Sequence, residues 1–282
     1  MNCPLCTKES ERKFKQNGFW IRACLDCRHH FAELDNESGH IERVYSDNYF
    51  NSGGAGYANY LSEERLLKAR GYWYAKKLAK YAKAGTMFDV GAAAGFFLKG
   101  MCENGWSGKG VEPNDLMANH ARENLKLEIS TGAFEKIETD EAFDLVSMIQ
   151  VVAHFIDPMT AFRVAEKITR QNGLLLIETW NRESLSAKLW GKHWHEWSPP
   201  SVLHWFTPDS LKRTLESFGF TEIKRGRPSK WLEASHAKSL LKYRLKAMPL
   251  SSITTKTLNL IPDNISLPYP AEDLFYAVYR KG

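Results

Sequence analysis

Residues 87 to 100 read MFDVGAAAGFFLKG. Asp89 closes a short apolar run, Gly91 and Gly95 stand four apart, and three alanines fill the space between them. The run before Gly91 has the length of a strand, and FFLKGMCENG after Gly95 has the spacing of a helix stopped by Gly105. A tight strand-to-helix turn needs glycine where φ is positive or where a ligand comes close to the backbone. Dinucleotide enzymes meet that need with G-x-G-x-x-G, which would require glycines at 91, 93 and 96. Those positions hold Gly91, Ala93 and Phe96, and Phe96 argues against that class. Asp89, Gly91, Ala93 and Gly95 instead suit a cofactor that bears an ammonium group and no phosphates.

Outward from the turn, short β-type runs alternate with helical ones. MFDV, GKGVEP, LEISTG, FDLVSMIQVV and GLLLIETW read as five strands, with FFLKGMCENG, DLMANHARENL and MTAFRVAEKIT as helices between them. The alternation predicts an α/β fold, a doubly wound Rossmann-like, mostly parallel sheet with helices on both faces. Such sheets bind ligands beyond the carboxyl ends of their strands, near the switch in strand order. That edge gathers Asp89, Glu112, Gly132, Gln150 to His154 and Thr179 to Asn181. A final β-rich run from Leu274 to Tyr279 is expected to close the sheet.

With 282 residues, 43% of them apolar, the chain can bury one full core and carry small additions. Residues 85–282 are expected to form the main domain, with an aromatic and histidine-rich segment over 180–206 and a basic, partly helical insertion over 227–262. Residues 34–84 read as a Tyr-rich connector followed by a docking helix that Gly85 stops. The net charge of +5 permits an anionic partner, yet nucleic-acid binders usually concentrate basic residues more strongly. No apolar run approaches the roughly 18 residues of a membrane span. MNCPLCTKESERK lacks the apolar core of a secretory signal, so a cytoplasmic location is expected.

Four of the five cysteines form two C-x-x-C pairs, Cys3 with Cys6 and Cys24 with Cys27, separated by seventeen residues. Each pair can present two thiolates to one tetrahedral ion, which predicts a zinc ribbon over residues 1–33. Four thiolates leave no open position, so the zinc is expected to be structural. Two disulfides are the alternative, in a secreted protein.

The stretch from FDVGAAAGF through GVEPNDLMANHARENL, continued by FDLVSMIQVVAHFIDP, resembles the motif region of class I S-adenosylmethionine-dependent methyltransferases. The chain is similar in particular to bacterial members with an N-terminal zinc ribbon, a YSDNYFNSG connector and an SPPSVLHWFTPDSLKRTLESFGF segment. The resemblance implies S-adenosylmethionine as cofactor, with Asp89 organising its methionine end and Gly91 letting it lie on the backbone. Glu112 would bind the two ribose hydroxyls, and a carboxylate can accept both bonds. Ala133 and Phe134 would lie beside the adenine, and Ile149 and Gln150 would line the methionine moiety. Ala93 stands where the family has glycine, adding one methyl. Ala153-His154 stands where Glu-His is frequent, which puts a role for that glutamate in doubt.

Methyl transfer needs alignment and, for a hydroxyl or acidic carbon, removal of a proton. His154 reads equally as a general base, since an imidazole titrating near pH 6.5 suits the task, and as a structural histidine, and His193, His195 and His204 compete with it as bases. Trp190, Trp194, Trp197 and Trp205 would either wall an apolar or planar acceptor or pack against the sheet. Tyr49, Tyr57 and Tyr60 would form a lid hinged at Gly53 and Gly54, bringing Tyr57 to the cofactor. The acceptor is expected to be a small molecule of sugar, lipid-linked or secondary-metabolite type. Two alternatives stay open: an RNA methyltransferase that uses the ribbon for recognition, and a non-catalytic module that binds a protein partner through the ribbon.

Overall fold

The computed structural model describes residues 1–34, 60–233, 265–269 and 271–282, with the single positions 40, 44 and 238. The chain opens with a hairpin, β1 (Ser10–Gln16) against β2 (Phe19–Cys24), turned by Asn17 and Gly18 at φ 49° and 87°. Positive φ at both central residues is what a two-residue hairpin turn requires, and Asn-Gly is its preferred pair. Strand β3 (His30–Ala32) adds to β2. A 3-10 turn over Tyr60–Glu63 then leads into α1 (Glu64–Leu78).

The main sheet follows as β4 (Thr86–Val90), α2 (Phe96–Cys102), β5 (Ser107–Glu112), α3 (Asp115–Glu123), β6 (Glu128–Thr131), β7 (Phe143–Ile149), α4 (Pro158–Ile168) and β8 (Thr169–Trp180). Two of these helices start on a side-chain cap. Asn114 caps α3 by accepting from the Met117 amide, and Asp157 caps α4 ahead of Pro158. Past β8 come α5 (Leu185–Trp190), β9 (His204–Trp205), α6 (Pro208–Glu216), β10 (Phe220–Gly226), β11 (Lys230–Glu233), β12 (Ser266–Tyr269) and β13 (Leu274–Lys281).

The seven-stranded sheet has the order β10-β13-β8-β7-β4-β5-β6. Strands β4 to β8 are parallel, and β13 runs antiparallel between β8 and β10. The run from Leu274 therefore fills an interior place, and the edge belongs to β10, a strand the sequence reading did not assign. Gly219 at φ 78° makes the change from α6 to β10. Of the expected insertion over 227–262, the described part includes β11, which pairs with β12 in a two-stranded ribbon.

Both faces of the sheet are covered, so its central strands read as continuous apolar runs. Along β8, Leu174 and Leu176 enter the core beneath α1 and α2, while Leu175 and Ile177 enter the opposite core with α4 and α6. Helix α1 lies directly on α2 because two glycines meet. A Cβ on Gly71 would stand 2.4 Å from the Phe97 carbonyl, and one on Gly100 2.3 Å from the Lys68 carbonyl.

The N-terminal strands are joined to the body by β9, which adds to β3 and completes a four-stranded sheet. Ile21 and Ala32 from the ribbon share one apolar cluster with Ala153, Trp194, Trp197, Leu203 and Trp205.

Candidate active site

The chain order sends β5 to one side of β4 and β7 to the other, so the crevice opens between the carboxyl ends of β4 and β7. The turn after β4 occupies it. Gly91 takes φ 66°, and a Cβ there would stand 2.4 Å from Val151 Cγ1. Gly95 takes φ 79°, and its Cβ would meet Leu127 Cδ1 at 2.7 Å and Ala121 Cβ at 2.9 Å. Ala93 takes φ 47°, so an L side chain occupies a left-handed position that favours glycine.

Glu112 ends β5 and is buried. Its Oε2 accepts from the Ala93 amide at 2.8 Å and its Oε1 from the Asn114 amide at 2.9 Å. Each oxygen retains acceptor capacity for one more donor. Burial pushes its pKa up to about 7, against the pull of the two amides. Asp89, on the neighbouring strand, is buried and accepts from Ser147 Oγ at 2.6 Å. Burial raises its pKa to about 7, the Ser147 bond lowers it, and the charge of Glu112 raises it further. Two carboxyl groups poised near neutrality thus flank one turn, a response to burial that a cationic ligand would reverse.

The other expected cofactor residues divide. Gly132, at φ 148°, donates its amide to the Glu112 carbonyl at 3.1 Å and leads to the half-buried Ala133. The Phe134 ring is buried in the core, 6.2 Å from Phe88 and 6.2 Å from Phe155. Ile149 is half-buried at the end of β7. Gln150 takes φ 58°, with its amide on the Glu178 carbonyl at 2.7 Å. Tyr49, Tyr57 and the Gly53-Gly54 hinge lie outside the described residues. Tyr60 is buried and stacks on Phe96 at 6.0 Å, beside Ala93 and Ala94.

The four histidines occupy four different surroundings. His154, half-buried after β7, donates from Nδ1 to the Ser201 carbonyl at 2.6 Å. Burial holds its pKa below the ordinary imidazole value, while the Ser201 and Gln150 carbonyls push it up. His195 Nε2 lies 2.8 Å from Glu196 Oε1 and 3.5 Å from Asp273 Oδ2, with its ring edge-on to Trp180 at 5.8 Å. His193 is exposed on a 3-10 turn. His204 is buried, donates from Nε2 to the Phe155 carbonyl at 3.0 Å and accepts at Nδ1 from His29 Nε2 at 3.1 Å. With both ring nitrogens committed, His204 joins the ribbon to the body and has no nitrogen left for an acceptor.

Three of the four tryptophans take the packing reading. Trp194, Trp197 and Trp205 are buried against one another, with ring centroids 5.6 and 4.7 Å apart. Their indole N–H groups are satisfied internally, on Asp273 Oδ2 and on the carbonyls of Gly191 and Glu196. These three rings build the core beneath the ribbon, whereas Trp190 faces outward.

The four N-terminal sulfurs converge, all within 4.8 Å of one another. Cys6 Sγ is 3.4 Å from both Cys24 and Cys27, and Cys3 Sγ is 3.6 Å from Cys27. Four thiolates at about 2.3 Å from one tetrahedral zinc would stand about 3.8 Å apart, so the donor set fits that ion. The amides of Asp26 and Cys27 point at Cys24 Sγ, both at 3.4 Å, as amide donors to a thiolate would. No disulfide joins these cysteines.

A model described as methyltransferase domain matches residues 64–224, from the start of α1 into β10. The chain belongs to that family. Its fold is that of class I S-adenosylmethionine-dependent methyltransferases. The ubiquinone biosynthesis O-methyltransferase of Caulobacter sp. (strain K31) is 28% identical over 142 residues, 46% of this chain and 56% of that protein. The chain thus spans little more than half the length of the curated relatives it matches. Among solved structures, a SAM-dependent methyltransferase from Archaeoglobus fulgidus is 18% identical, with TM-score 0.51, covering 79% of this chain and 99% of that one. The magnesium protoporphyrin IX methyltransferase of Synechocystis PCC 6803, solved with bound SAH, is 12% identical with TM-score 0.52 and covers 88% of this chain and 96% of that one.

Within the methyltransferase, one group escaped the sequence reading. Glu178, fully buried near the end of β8, accepts from Tyr74 Oη at 2.5 Å, Arg70 Nε at 3.1 Å and Gln150 Nε2 at 3.1 Å. A carboxylate inside the apolar strand GLLLIETW was the available signal, because such a group is stable there only when paired. It ties helix α1 to Gln150 at the site's edge.

Proposed function

We propose that the crevice between β4, β5 and β7 holds S-adenosylmethionine and that its methyl passes to a hydroxyl of a small-molecule acceptor. The observation that carries this reading is Glu112, pinned by two backbone amides at the end of β5 with one acceptor position left on each oxygen. That arrangement suits a ribose diol. Gly91, Ala93 and Gly95 would let the cofactor lie along the turn, Asp89 would face its ammonium end, and Ala133, Phe134, Ile149 and Gln150 would flank it.

The bound cofactor supplies a methyl already activated on a sulfonium. The protein's part is then to align the acceptor and to take its proton. His154 is the base in this reading, because it follows β7 at the crevice and its Nδ1–H bond to the Ser201 carbonyl orients the ring. His195, oriented by Glu196 and Asp273, lies next to the end of β8 and is the nearer alternative to His193. The oxygen acceptor is supported by the names of the curated relatives, which are O-methyltransferases.

Cys3, Cys6, Cys24 and Cys27 would hold one zinc ion without an open coordination position, which makes its role structural. The ribbon over 1–33, the connector over 34–84 and the cofactor domain over 85–282 are the units of this reading.

Calorimetric titration with S-adenosylhomocysteine tests it. One site per chain is expected, and no heat of binding to correctly folded, metal-loaded protein would contradict it.

A further inference from the structure

Helix α5 is fastened to the body where β8 ends. Ser184 accepts from the Ala187 amide at 3.0 Å, and Glu272 takes the amides of Leu185 and Ser186 at 2.6 and 3.1 Å. The outward side chains are apolar nonetheless. Leu185, Leu189 and Trp190 are 62%, 75% and 64% exposed. Leu185 and Leu189 share one helical face, four residues apart, and Trp190 stands beside them. Single exposed leucines are ordinary, whereas a contiguous apolar patch marks a surface that meets something.

A second exposed pair lies beyond the same edge of the sheet. Gly226 pairs with Tyr276, and Tyr276 pairs with Glu178, so β10 ends level with the carboxyl end of β8. Strand β11 starts four residues later, carrying Trp231 at 48% exposure, and Ile265 ahead of β12 is 43% exposed. The edge that opens the crevice is thus fringed by large apolar side chains.

The charge around them selects the occupant. Residues 185–193, LSAKLWGKH, hold no carboxylate, and Lys188 and Lys192 are exposed. Of the neighbouring acids, Glu183 is exposed and Glu272 is engaged by the start of α5. Leucine and tryptophan on a face bordered by lysines match an anionic bilayer, where the apolar groups enter the acyl boundary and the ammonium groups stay with the headgroups.

We infer that α5, with the β11–β12 fringe, docks the enzyme on an anionic phospholipid surface, with the mouth of the crevice toward the lipid. An acceptor reaching the site by that route would be amphipathic, an apolar chain in the bilayer and a hydroxyl-bearing head at the crevice. This last step rests on the methyl-transfer reading; the docking does not.

Co-sedimentation of the full chain tests it, with vesicles of phosphatidylglycerol and phosphatidylcholine in equal parts and with phosphatidylcholine alone. Binding is expected to the mixed vesicles, weakened at high salt and about thirtyfold weaker on phosphatidylcholine, as the loss of headgroup attraction for two lysines predicts. Leu189→Ser combined with Trp190→Ser should lower binding at least about tenfold, as loss of buried apolar area predicts, with the melting temperature and S-adenosylhomocysteine affinity unchanged. Equal sedimentation of variant and wild type would overturn the docking surface, as would failure to bind mixed vesicles. So would a self-association in solution that the same variant abolishes, which would assign the patch to a second copy. Loss of S-adenosylhomocysteine binding with vesicle binding intact would count against the cofactor reading alone.

Discussion

Glu112 accepts the Ala93 amide at 2.8 Å, so the end of the second parallel strand is tied to the middle of the turn that follows the first. The bond fixes the turn at the residue that holds φ 47° without being glycine. A left-handed alanine costs about 1–2 kcal/mol, partly offset by the lower entropy of its unfolded chain. Ala93→Gly should therefore raise stability by about 0.5 kcal/mol in chemical denaturation. Gly91→Ala should do the opposite by at least about 1 kcal/mol, because its Cβ would stand 2.4 Å from Val151 Cγ1. Equal stability of the two variants would contradict the geometry of the turn.

The Arg70 and Glu178 pair predicts a strong energetic coupling. Their side chains are 10% and 0% exposed, so removing either partner leaves a buried charge. Glu178→Leu or Arg70→Met alone should cost about 3–5 kcal/mol, and the double variant much less than the sum. A double-mutant cycle by urea denaturation measures this, and simple additivity would refute the coupling.

Asp89 and Glu112 give the apoprotein a definite pH dependence. Their folded pKa values, about 7, exceed the ordinary 3.8 and 4.5, so between those limits the folded state holds more protons than the unfolded one. The contribution of these two groups is fully present below about pH 4 and is lost as pH rises through about 7. A ligand that prefers both carboxylates ionised would bind more tightly as pH rises from 6 to about 8 and release protons on binding. Titrating S-adenosylhomocysteine in two buffers of different ionisation enthalpy reports that release, and identical heats in the two buffers would contradict it.

His154→Ala should lower kcat by about 10²–10⁴ while leaving S-adenosylhomocysteine affinity unchanged. Because burial lowers the imidazole pKa, the acid limb of the wild-type rate profile should fall below the ordinary imidazole value, and the variant should lack it. His204→Ala should instead lower the melting temperature, since its ring bridges Phe155 and His29. An unchanged kcat in His154→Ala would transfer the role of base to His195.

The sequence made the parallel core legible for a physical reason: strands buried on both faces are written as apolar runs punctuated by glycine and caps, as in MFDV, FDLVSM and GLLLIET. The turn was visible through its glycine spacing and the four cysteines through theirs, whereas Glu112 was singled out by its place at a strand end and by the family resemblance. Glu178 was hidden because its partners, Arg70 and Tyr74, are more than a hundred residues away, and no local pattern encodes such a pairing. The tryptophan segment left two readings because ring content is the same for a packed core and a substrate wall; the indole N–H partners separate them. Strand β10 went unassigned because FTEIKRG, an edge strand, carries few apolar residues.

The central claim, that Glu112 receives the ribose hydroxyls of S-adenosylmethionine in this methyltransferase, is tested most directly by calorimetric titration of S-adenosylhomocysteine into the wild type, Glu112→Gln and Glu112→Ala. The account predicts stoichiometric binding to the wild type and a weakening of at least about tenfold in both variants, as loss of charge-assisted hydrogen bonds requires, with the melting temperature showing each to be folded. Undiminished affinity in folded Glu112→Ala would contradict it.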